Sequence, residues 1–157
     1  MEMLSTKECL KFTAIVSAGM MTGTALYISL VEVRSRRNLP IKAMRKQWSE
    51  SFNGAATFVI CIGAIQTLST VTLYFLDTSP VRNFWLVDPA IFIFGGIYTT
   101  FVMLPEIKEL KTDDTVAKKG EKWVEEAIGR WANRHLFRTV FNTVGFGMVI
   151  YTALKSQ

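Results

Sequence analysis

The stretch Trp131-Ala-Asn-Arg-His135-Leu-Phe-Arg138-Thr-Val-Phe-Asn142 carries a charged, helix-forming region into the last long apolar run of the chain. At about 100° per residue, Trp131, His135, Arg138 and Asn142 fall within an arc of about 60° on one helix face, spread over about 16 Å of axis. The one histidine of the sequence therefore sits in a polar stripe entering a span. Ionisable groups at membrane depth are costly and face a bundle interior or a wet cavity, which makes this stripe the candidate functional site. The same residues also suit a plainer role, with Arg138 snorkelling to the headgroups and Trp131 anchoring at the interface.

The 157 residues suit a single domain, and 50% hydrophobic content with mean hydropathy +0.25 is high for a soluble one. Four long apolar runs, at about 12–31, 55–76, 89–104 and 136–154, predict an all-α integral membrane four-helix bundle over residues 1–157. The charge of +5 is then a matter of topology, and nothing suggests nucleic-acid binding. The two long loops, with Arg138, hold 14 of the 18 Lys and Arg. By the positive-inside rule they face the cytosol or matrix and both termini face the opposite side, with the organelle undetermined. Cys9 and Cys61 offer neither a disulfide framework nor metal-ligand spacing.

The start, Met1 to Lys11, is too mixed in charge for a signal or transit peptide, so the first span is expected to be uncleaved. Gly19, Gly23 and Tyr27 share a face at four-residue spacing, where another backbone or a flat ligand would come close. Glu32 ends the span, either in a surface salt bridge or as a partner for the His135/Arg138 stripe. Asn38-Leu-Pro40 reads as a helix start, followed by Ile41, Met44, Trp48 and Phe52 at helical spacing. Asn53-Gly54 is expected to bend the chain before the second span, where Gln66 needs a partner inside the bundle. Asp88-Pro89 reads as a cap and first-turn proline with Trp85 at interface depth, and Pro105 as a kink or end. Capping residues at 112–115 then start an amphipathic helix running to 134, whose stripe from Val116 to Trp131 is expected to pack on Ile41, Met44, Trp48 and Phe52. These two amphipathic helices form extensions on the cytosolic or matrix side.

A bundle with small residues inside and a polar stripe at its mouth suits a flat, hydrophobic aromatic ligand arriving from the membrane. His135 suits a general base, Arg138 an oxyanion stabiliser and Asn142 a hydrogen-bond donor, while Trp131, Trp48 and Tyr27 offer stacking faces. The sequence has no Gly-rich phosphate loop, no nucleophile motif, no paired metal-ligand set and no second histidine for haem.

The four spans, Gly19-x-x-x-Gly23 followed by Tyr27 and Glu32, Leu104-Pro105, and above all Arg130-Trp131-x-x-x-His135-x-x-Arg138 resemble the anthrone-oxygenase-like family of small membrane proteins. The chain differs from that pattern at Ile107, where the family commonly has Asn. The resemblance implies cofactor-free oxidation of an activated methylene on a polycyclic phenol by molecular oxygen, turning an anthrone into an anthraquinone. It implies His135 as base, with Trp131 and Arg138 shaping or polarising the site. The alternative is a non-enzymatic protein: an accessory subunit that uses its glycine-bearing spans to contact a helix partner or its own copies, or a hydrophobic-ligand binder.

Overall fold

A computed structural model describes residues 4–156; Met1 to Met3 of the polar start and Gln157 of the tail lie outside the described residues. The described chain is all helical. Helix α1 runs Thr6–Arg36, α2 Ile41–Leu76, α3 Arg82–Lys111, α4 Thr115–Lys119 and α5 Glu121–Lys155. Ser5 caps α1 in a reciprocal pair with Glu8, satisfying two orphan amides at the first turn. Helix α1 packs along both α2 and α5, and α3 lies against both α5 and α2.

Among the described residues, three helices are long and apolar enough to cross a membrane: α1, α2 and α3. The expected fourth span does not join them. Arg138, Asn142 and the interleaved threonines and glycines of 136–154 dilute its apolar character, so α5 carries its polar stripe at the expense of hydropathy. The chain is an integral membrane protein with several spanning helices, and large side chains such as Phe12, Leu68, Phe75, Phe101 and Leu154 point outward, as lipid-facing residues do.

Several expected boundaries move. Asn53-Gly54 makes no bend, and α2 is unbroken from its amphipathic start to its apolar end, with Pro40 rather than Asn38 preceding the first turn. Pro105 neither ends nor breaks α3, because it falls in the first turn of a new helical segment, Leu104–Lys111, where its missing N–H costs nothing. That segment follows a π-helical turn, Thr99–Met103. A second π-turn, Ile28–Glu32, interrupts α1. Asp88 does not cap α3; its carboxylate is buried and accepts a hydrogen bond from Gln66. Trp85 is fully buried rather than interfacial, its Nε1 donating to Asp77 at 2.9 Å. The helix expected over 114–134 is divided by Gly120 at φ +85°, a left-handed position that glycine occupies without strain, and its second part continues through 155.

Two apolar cores result. At the charged end, Met44 and Trp48 of α2 meet Met103, Ile107 and Leu110 of α3 and Val124, Ala127, Ile128 and Trp131 of α5, with Ile41, Phe52 and Val116 at the edge. The expected packing of the two amphipathic helices therefore holds. At the other end, Ala14, Ala18, Leu73, Trp85 and Val149 form a smaller core. Gly19 admits the ring of Phe146, whereas Gly23 meets nothing and Tyr27 points outward at 60% exposure, so the four-residue glycine face is only partly a packing seam.

Candidate functional site

The i, i+4, i+7 spacing along α5 puts Trp131, His135 and Arg138 on one inward face. The imidazole of His135 stacks on the indole of Trp131, with ring centres 5.1 Å apart and planes 30° from parallel. Trp131 is in turn held from behind. Trp48 meets it edge-on at 5.6 Å, and the guanidinium of Arg36 lies 6.0 Å from its ring. Arg36 is fixed by an ion pair with Glu32 at 2.7 Å and a hydrogen bond to Gln47, which also donates to Glu32 at 3.2 Å. Removing charge from water costs free energy, and the ion pair with Glu32 offsets part of that cost, while Arg36 Nη1 is buried without a hydrogen-bond partner.

The edge of His135 turned to α1 makes its hydrogen bonds. Ser29 Oγ lies 3.0 Å from Nδ1 and 2.8 Å from Thr139 Oγ1, which is itself within 3.0 Å of the His135 carbonyl and 3.3 Å of that of Ala25. Arg138 Nη1 donates to Thr99 Oγ1 at 2.7 Å. Ser29 belongs to the π-turn of α1 and Thr99 to that of α3.

The opposite side of these groups lines a cavity of about 250 Å³. Phe52, Ala55, Ala56 and Val59 of α2 form one wall, and Phe92, Gly96, Thr99 and Met103 of α3 the other. Trp131, His135 and Arg138 lie at its back. Gly63 shapes it from a distance: a Cβ there would collide with the ring of Phe92, so the glycine lets that ring lie close against α2. The mouth opens sideways between α2 and α3, where Ile60, Gly96 and Thr100 are exposed on the apolar surface of the bundle. An apolar slot with a few convergent polar groups is the ordinary form of a small-molecule site, and its size suits a flat ligand.

The structure brings together Trp131, His135 and Arg138 and disperses the other candidates. Trp48 and Glu32 sit behind Trp131, away from the cavity. Glu32 is 8% exposed, so its salt bridge is a buried one. Asn142 lies beyond Arg138 beside Gly95 and Phe141 in a separate shallow depression, and its carbonyl accepts from Thr22 at 3.1 Å. Gln66 lies deeper in the bundle with Asp88, and Tyr27 faces outward. Ser29, Thr99, Phe52 and Phe92 stand at the site without having been marked by the sequence. No sequence signal marked Thr99; in the structure Gly95, Thr99, Met103 and Ile107 all turn inward at steps of four, each of which a regular α-helix would rotate by about 40°. The wider π-turn takes up that drift.

Among the described residues, no group of three or more His, Cys, Asp or Glu is placed to hold a metal ion. Comparison with curated proteins and with solved structures gives no match. The model of the anthrone oxygenase family matches residues 48–148, more than half of the chain. That segment runs from Trp48 through both cavity walls to the full Trp131, His135 and Arg138 face, and on this match the chain belongs to the anthrone oxygenase family.

Proposed function

We propose that the protein is a cofactor-independent membrane oxygenase that takes a flat polycyclic phenol of the anthrone type from the bilayer into the cavity and oxidises its activated methylene. The observation that carries this reading is the meeting of His135 and Arg138 on one wall of an aromatic-lined slot open to the lipid side, inside the segment that marks the family. Trp131, Phe52 and Phe92 give the slot an aromatic lining suited to a planar substrate.

In this mechanism His135 Nε2 removes one methylene proton, and Arg138 stabilises the oxyanion form of the conjugated carbanion. The carbanion passes an electron to oxygen, and recombination forms the carbon–oxygen bond of a hydroperoxide, which takes back the proton held on His135. Loss of the second methylene proton then forms the carbonyl as the oxygen–oxygen bond breaks and hydroxide leaves as water. Anthrone and one oxygen molecule thus give anthraquinone and one water, with the substrate supplying every electron.

We further propose that α5 crosses the membrane as the fourth helix of one domain. Its register along α1 supports this, running from the Ser29–His135 contact through Thr22–Asn142 and Gly19–Phe146 to Lys11 Nζ on the Ser156 carbonyl at 2.6 Å. A helix paired along the whole length of a spanning helix shares its depth. The charged extensions then face the cytosol or matrix, and both ends of the chain the other side.

The test is product formation by protein in lipid nanodiscs. An anthrone converted to anthraquinone with uptake of one oxygen molecule, unchanged by a chelator, is the expected outcome. Binding of the anthrone without oxygen uptake would favour a hydrophobic-ligand binder instead, a reading that the same sideways-opening slot also suits.

A further inference from the structure

Two hydroxyls at the site come from the two π-turns of the spanning helices. Ser29 in the π-turn Ile28–Glu32 meets His135, and Thr99 in the π-turn Thr99–Met103 meets Arg138. Along α1 the buried positions Ile28, Glu32 and Arg36 keep steps of four, each of which a regular helix would rotate by about 40°. The wider turn keeps Ser29 aimed at α5 while Glu32 and Arg36 still reach behind Trp131.

The hydrogen bonds around Ser29 have a direction. Thr139 Oγ1 is within reach of two carbonyl oxygens, at 3.0 and 3.3 Å, and a carbonyl only accepts, so the threonine proton has its place there. The Thr139 oxygen then accepts from Ser29, 2.8 Å away, and the Ser29 oxygen is left to accept from Nδ1. We propose that Ser29 is a positioning residue: held by the π-turn of α1, it fixes the neutral His135 imidazole with its proton on Nδ1 and leaves the Nε2 lone pair facing the cavity. Nε2 has no hydrogen-bond partner among the described residues. A base needs that free lone pair, so the proposal rests on the oxygenase reading for its chemical consequence, although the tautomer itself is measurable without any turnover.

Because the chain has one histidine, nitrogen-15 histidine labelling reports on this imidazole alone. The protein in nanodiscs at neutral pH is expected to show a protonated Nδ1 and an unprotonated Nε2. Ser29→Ala is expected to shift the tautomer ratio by about fivefold, the share of one neutral hydrogen bond. It should also lower kcat about tenfold with little change in KM, and Ser29→Thr should restore both. A protonated Nε2 in the wild type, or a Ser29→Ala spectrum identical to it, would overturn the proposal whatever the turnover. The wild-type spectrum decides even if Ser29→Ala does not fold. The expected spectra with no oxidation of any anthrone would leave the Ser29 assignment standing and remove the oxygenase reading.

Discussion

Arg138 spends one of its five N–H donors on Thr99, at 2.7 Å, and makes no other hydrogen bond among the described residues, although it lines the cavity. A guanidinium held at one corner, with its remaining donors free, is arranged to receive negative charge that appears only during reaction. Arg138→Ala is therefore expected to lower kcat by about 10²–10³-fold, the usual loss for an oxyanion donor, with a much smaller change in KM. Steady-state oxygen uptake with an anthrone separates the two constants. A loss confined to KM would assign Arg138 to ground-state binding instead.

The sideways mouth of the cavity passes Gly96, whose missing Cβ would meet nothing within 4 Å. Gly96→Leu should leave thermal stability nearly unchanged and fill the opening, raising KM for bulky substrates at least about tenfold. Gly63→Ala is the contrasting case. Its Cβ collides with the Phe92 ring, so about 1–3 kcal/mol of destabilisation is expected, read as a lower unfolding midpoint.

The even number of crossings is testable through the chain ends. Cys9 is exposed near one end and Lys155 is exposed near the other. With four crossings, a membrane-impermeant thiol reagent should label Cys9 and a Lys155→Cys variant from the same side of oriented vesicles. Labelling from opposite sides would mean three crossings, with α5 lying outside the bilayer.

The helical class and the His135 face were legible because both rest on periodicity. Trp131, His135 and Arg138 needed only 3.6 residues per turn to be placed together, and Met44 and Trp48 against Val124 and Ile128 needed only two apolar stripes. What was not legible depended on neighbours. Glu32 reads as a surface salt bridge or a partner for the stripe, because nothing local tells that Gln47, 15 residues on, closes over its pair with Arg36. Asp88 before Pro89 has the form of a cap, yet Gln66, 22 residues away, takes its carboxylate inward. Asn142 shares the arc of His135 on a helical wheel, but one further turn carries it past the end of the cavity. The π-turns are hidden for the same reason, since packing rather than propensity selects them.

At the end of the bundle away from the site, Asp77 offers a pH test of stability. Burial pushes its carboxyl up, but the Ser79 N–H, Trp85 Nε1 and the Lys7 ammonium at 3.5 Å outweigh this and hold it below the usual carboxylate value. A carboxyl lowered on folding adds stability above its unfolded value and loses it as pH falls through the folded one. Asp77→Ala should cost about 1–3 kcal/mol at neutral pH, because Trp85 Nε1 loses its buried acceptor. The stability gap between wild type and Asp77→Asn should close in acid, below the usual carboxylate range. A gap that stays constant with pH would show that the charge of Asp77 contributes nothing.

The central claim is that His135 is the base of an oxygen-dependent reaction. The measurement that tests it most directly is oxygen consumption by purified wild type and His135→Ala, both shown to be folded, against a panel of anthrones. Turnover by the wild type and a loss of about 10²–10⁴-fold in the variant are expected. Equal turnover by the two proteins would contradict it.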